Sequence, residues 1–197
     1  VTYGSTAIGF FGSIVSMDLV AIKAGTATYL GLETAADALS ADLIGFDPLL
    51  VFHAWDGTLK LNKMGGAAAN KLDWNSLTTT GLPLASLDID ETLDLHVDGS
   101  VAFDALSGTV VGIVSDFSLD IGQVSTTAAN GTGAIEFTNA DAVSLTLSGV
   151  ELFAGVGGSL SDTTGGVPNS TPEDYSDDEV TYGSTAIGFF GSIVSMD

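Results

Sequence analysis

The sequence predicts an all-β antiparallel unit, a sandwich or flattened roll, and three observations carry that prediction. Apolar and polar residues alternate with a period of two along several segments. Asx-Gly pairs punctuate the chain between those segments. The first 18 residues, VTYGSTAIGFFGSIVSMD, return unchanged as Val180–Asp197.

Alternation is clearest from Leu87 to Asp98. Leu87, Ile89, Leu93, Leu95 and Val97 fall on one side; Asp88, Asp90, Asp94, His96 and Asp98 fall on the other. That pattern predicts a half-buried strand. The stretch Thr109–Ile121 repeats it, with Val111, Ile113, Phe117, Leu119 and Ile121 assigned to one face. Val143, Leu145 and Leu147 alternate too, and after Gly149 the phase shifts to Val150, Leu152, Ala154 and Val156. A phase change of one residue at a glycine predicts a bulge or corner. Asp56-Gly57, Asp98-Gly99 and Asn130-Gly131 read as hairpin turns. Helical periodicity is confined to Glu33–Ala41, which allows one short helix there or just before Trp74. Lys60–Asn75 reads as a loop.

The recurrence at an offset of 179 residues sets the domain organisation. Chance does not produce such a match, which leaves an artificial duplication or a tandem array. On the array reading, residues 1–160 form a β-rich unit strung end to end with its neighbours in a filament. Weak internal similarity divides this unit into diverged halves, about 1–98 and 99–160. Residues 161–179, rich in Gly, Ser, Thr, Pro and acid, form a linker. Residues 180–197 open the next repeat. The repeated segment carries Ile8, Phe10, Phe11, Ile14, Val15 and Met17 with no charge before Asp18. Both copies are therefore expected to take the same β conformation under the cover of neighbouring strands, because an open apolar edge invites association.

Composition narrows the chemistry. The chain has 25 acidic residues against four Lys and no Arg, a net charge of −21. Such a charge repels nucleic acid and anionic membrane and attracts cations. Without cysteine there is no disulfide framework, thiolate nucleophile or thiolate metal site. No signal peptide is recognisable, and Val1–Met17 is too short and too rich in Gly, Ser and Thr for a membrane helix. His53 and His96 are the only histidines. His53 lies in an apolar run, while the acidic strand face around His96 should raise its pKa and make it a poor base. A Ser-His-acid hydrolase, a glycosidase and a phosphate-binding loop are all disfavoured, and an enzyme is not expected.

Calcium binding is the strongest chemical candidate. Glu173, Asp174, Asp177, Asp178 and Glu179 place five carboxylates within seven positions. Asp88, Asp90, Asp94 and Asp98 line one strand face, and for each of these two acidic groups a solvated surface is the plainer reading. Asn130-Gly131-Thr132 and Asn169-Ser170-Thr171 match the glycosylation sequon.

The phrases LDIDETLDLHVDGSVAFDAL, SLTLSGVELFAGVGGSL and KLDWNSL resemble the tandem β-rich repeats of giant bacterial surface and secreted proteins. The resemblance implies an adhesin or extracellular fibre; the expected partners are neighbouring copies of the repeat, with cell-surface glycans as a further candidate. It also implies calcium between repeats, although the GGxGxD calcium-binding pattern is absent. Two rival expectations are an outer-membrane β-barrel and a glycan-binding module that uses Trp55 or Trp74.

Overall fold

The computed structural model describes residues 7–46, 49–126, 135–164, 167–168 and 178–196, with only the backbone described at 162–164 and 167–168. The chain is all-β and antiparallel, with no helix among the described residues. Its strands are β1 (Gly9–Ile14), β2 (Met17–Ala24), β3 (Ala27–Thr34), β4 (Leu39–Ile44), β5 (Leu50–Gly66), β6 (Leu93–Ala105), β7 (Val110–Val124), β8 (Ala140–Thr164), β9 (Val167–Pro168) and β10 (Asp178–Met196).

The topology is a meander ordered β1-β4-β5-β6-β7-β8-β10, and it does not close into a barrel. The long β5 pairs with β4 along its first half and with β3 along its second, while β2 pairs with β3. Thus β1–β2 and β3–β4 each behave as one long strand, broken at Val15–Ser16 and at Ala35–Ala38. Glu33–Ala41, where a short helix was allowed, instead contains the end of β3, a turn and the start of β4.

A crease crosses the sheet. Register shifts fall between Leu39 and Ala41, between Trp55 and Thr58, and between Gly99 and Val101. Asp37, Asp56, Gly99 and Gly149 hold positive φ along the same line. Asp56-Gly57 and Asp98-Gly99 are therefore mid-strand bulges rather than hairpin turns. The positive φ that suits an Asx-Gly pair to a turn serves a bulge equally well. Asn130-Gly131 lies outside the described residues. The β6–β7 turn is built by Leu106, Ser107 and Gly108, all at positive φ, with Gly108 N donating to Asp104 Oδ1 at 2.6 Å.

The corner expected at Gly149 is present, with φ +57. One expectation for β7 is corrected. Between the pairs Val101↔Val114 and Gly99↔Phe117, β6 advances two residues and β7 three. The extra residue turns Phe117, Leu119 and Ile121 to the face opposite Val111 and Ile113.

The strand read from Leu87 begins only at Leu93. Leu87 and Ile89 are nevertheless buried, each 1% exposed, because residues 67–92 cross one sheet face as an irregular cover. Lys60–Asn75 is thus not all loop, since β5 continues to Gly66. Trp74, Leu87 and Ile89 of the cover pack with Val20. Gly31 makes room for them: a Cβ there would lie 2.5 Å from Leu87 and 2.7 Å from Trp74. Asn62, 0% exposed, pins the cover. Its amide donates to Leu72 O at 2.9 Å and Asp90 O at 2.8 Å, and its Oδ1 accepts from Trp74 Nε1 at 3.0 Å. Asp90 Oδ1 accepts from Thr92 N, Thr92 Oγ1 and Leu93 N, turning the chain into β6.

The second cluster joins Ala102, Val111, Ile113, Phe153 and Val180, with Trp55, Leu160 and Ala186 against it. Strand β10 loses its register with β8 between Tyr182 and Ile187. Beyond that break Val180 packs with the cluster, its N–H donates to Glu151 Oε2, and Tyr182 stacks on Phe153 at 5.6 Å. Strands β8 and β10 also extend from either side into the segment read as linker, and the half-unit boundary near Gly99 falls within β6.

Candidate functional site: two edges and an apolar face

The two copies of the repeated segment occupy the opposite edges of the sheet. The first supplies β1 and the start of β2, and the second supplies most of β10. The second copy finds its cover within this chain. It pairs with β8 from Val180↔Leu160 to Met196↔Leu147. What stays open, among the described residues, is its outer edge and one apolar face.

That face extends from edge to edge. Directly opposed pairs link Phe10↔Leu43, Phe52↔Phe103, Phe103↔Gly112, Gly112↔Leu152 and Leu152↔Gly191. Phe10 meets Phe52 edge-on at 6.3 Å. The alternation of the pleat puts all of them on the side opposite the covered clusters. Phe10 is 74% exposed and its second copy, Phe189, 71%. Ile8, Val143, Val156 and Ile187 are also open to solvent. A contiguous exposed apolar surface of this kind marks an interaction face.

The opposite face carries the polar groups. Lys60 Nζ reaches Glu33 Oε1 and Asp88 Oδ2, each at 3.0 Å. Burial works against the Lys60 charge, but these hydrogen bonds outweigh it and its pKa is raised. His96 lies between Asp120 Oδ1 at 2.7 Å and Asp98 Oδ2 at 2.9 Å. Burial disfavours its charged form, but the two carboxylates prevail and the pKa rises, as the sequence suggested. Folding therefore tightens proton binding at His96. Its stabilisation is fully present below about pH 6.5, the unfolded value, and is lost as pH rises through the folded value. His96→Ala should cost about 1.5–3 kcal/mol at pH 6 and flatten the fall in stability above it; urea titrations across pH check this. His53 Nδ1 meets Asp42 Oδ1 at 2.9 Å beside β1.

Of the candidate calcium ligands, Glu173, Asp174 and Asp177 lie outside the described residues, as do both sequons. Asp178 and Glu179 open β10, opposite Asp162 and Ser161. Among the described residues no three acidic or histidine side chains are grouped to hold a metal ion. Trp74 is 3% exposed and donates to Asn62 of β5, so it offers no platform for a sugar, and Trp55 packs against the second cluster. Sequence reasoning missed the edge placement of the repeated segment, which depends on topology rather than local pattern. Comparison with protein-family models, curated proteins and solved structures finds no match for this chain.

Proposed function

We propose that the chain is a structural repeat of a long extracellular filament or cell-surface adhesin, working through sheet edges rather than a catalytic pocket. The observation that carries this reading is that the described parts of the two copies, residues 7–18 and 180–196, lie at opposite edges of the sheet. A segment with a place at each edge is what a tandem array needs at its junctions. Small-angle scattering of chains with one and two periods tests it. The maximum dimension should grow by one unit per period, and a two-period chain no longer than the single one would refute the reading.

Calcium at the junction belongs to the same proposal. The acidic run Glu173–Glu179 places five carboxylates within seven positions, and a cation would relieve their mutual repulsion. Calcium should raise the melting temperature and a chelator should reverse the gain. An unchanged melt would remove calcium from the account.

The uncovered apolar face favours a second reading, a strand set within an outer-membrane β-barrel, whose lipid-facing and lumen-facing residues also alternate. Purification without detergent separates the two. The filament unit should stay dispersed in aqueous buffer, whereas the barrel reading requires detergent.

A further inference from the structure

We infer that successive units share one strand, so that the array is a single uninterrupted β-sheet rather than separate domains on a string. The inference rests on the tandem-array reading and specifies its junction.

The hydrogen-bonding pattern carries the argument. Val15 N donates to Ala38 O at 2.9 Å, one step beyond the pair Ile14↔Leu39. Bonds in an antiparallel ladder alternate. Gly9, Phe11 and Ser13 therefore bond to β4, while the backbone groups of Phe10, Gly12 and Ile14 point outward. At the other edge, Gly155 N donates to Thr109 O at 2.8 Å, one step beyond Val110↔Ala154. Phe153 and Glu151 thus bond to β7, leaving Ala154, Leu152 and Val150 to bond to Phe189, Gly191 and Ile193 of β10. The close approach at Gly155↔Gly188 agrees: a Cβ on Gly188 would lie 2.7 Å from Gly155 Cα, as befits a narrow, non-bonded pair.

Phe189, Gly191 and Ile193 are the second copies of Phe10, Gly12 and Ile14. The first copy leaves open the positions that the second copy uses to bind β8. The second copy leaves open Gly188, Phe190 and Ser192, whose counterparts in the first copy bind β4. One strand of this sequence can therefore satisfy β8 of one unit and β4 of the next at once.

Direction and facing also agree. Six antiparallel steps separate β1 from β10, so the two strands run the same way. Phe10 and Phe189 lie on the same apolar face, so superposing the copies keeps that face continuous. Each period then adds six strand spacings, roughly 29 Å along the sheet.

The test uses a chain of two periods, residues 1–179 followed by the 197-residue sequence. Cysteine is absent, so introduced pairs report cleanly. Ser192→Cys is paired with Glu151→Cys in one variant and with the second unit's copy of Ser40→Cys in another. Ser192 opposes Glu151 on β8, and its counterpart Ser13 opposes Ser40 on β4. Both register positions fall within disulfide reach when the strand is shared. Both pairs should close, about 100-fold faster than an off-register control joining Ser195→Cys to the same Ser40 copy. Closure of one pair alone, or of neither, would overturn the shared strand. Scattering from the same variants separates this failure from failure of the filament reading, which is lost only if the two-period chain is no longer than the single one.

Discussion

Asn62→Ala is expected to free the irregular cover from the sheet while leaving the meander folded. The substitution leaves Leu72 O, Asp90 O and Trp74 Nε1 without their partner in a site closed to water. Orphaned buried groups cost about 1–3 kcal/mol each, so the loss should reach roughly 3 kcal/mol or more. Limited proteolysis should then cut between residues 67 and 92 well before any strand. A variant as resistant there as the native chain would show that apolar contact alone seats the cover.

Phe153→Ala should have an effect of similar or larger size at the opposite end. Phe153 is 2% exposed, joins the cluster beneath β10 and stacks on Tyr182. Truncating a buried phenylalanine costs about 3–5 kcal/mol. Because Val180 packs over the same cluster, the loss should loosen β10 first and expose the outer edge of β8. Urea denaturation checks the cost, and limited proteolysis of residues 178–196 checks the loosening of β10. A cost below about 1 kcal/mol would show that the packing of Val180 and Tyr182 around Phe153 contributes little.

The sequence foretold the fold class because period two is a direct consequence of pleat geometry, and Gly149 because a phase change is visible in the letters. The crease was legible only in part. Asp56-Gly57 and Asp98-Gly99 advertise positive φ but do not say whether it serves a turn or a bulge. Ser115-Asp116 advertises nothing, so the reversal of Phe117, Leu119 and Ile121 could not be read. Leu87 and Ile89 alternate as a strand does, yet they reach burial through an irregular segment held by Asn62, a residue without a local signature. The repeated segment was plain in the sequence, but its place at both edges with opposite bonding patterns emerges only once six ladders are in register.

If the units form one sheet, their strands lie across the filament and their hydrogen bonds run along it. X-ray diffraction from oriented fibres of a multi-period chain tests this most directly. The shared-strand array should give a 4.7–4.8 Å reflection on the meridian, the spacing between hydrogen-bonded strands. The same spacing as an unoriented ring, or on the equator, in fibres whose alignment is established independently, would contradict a continuous sheet.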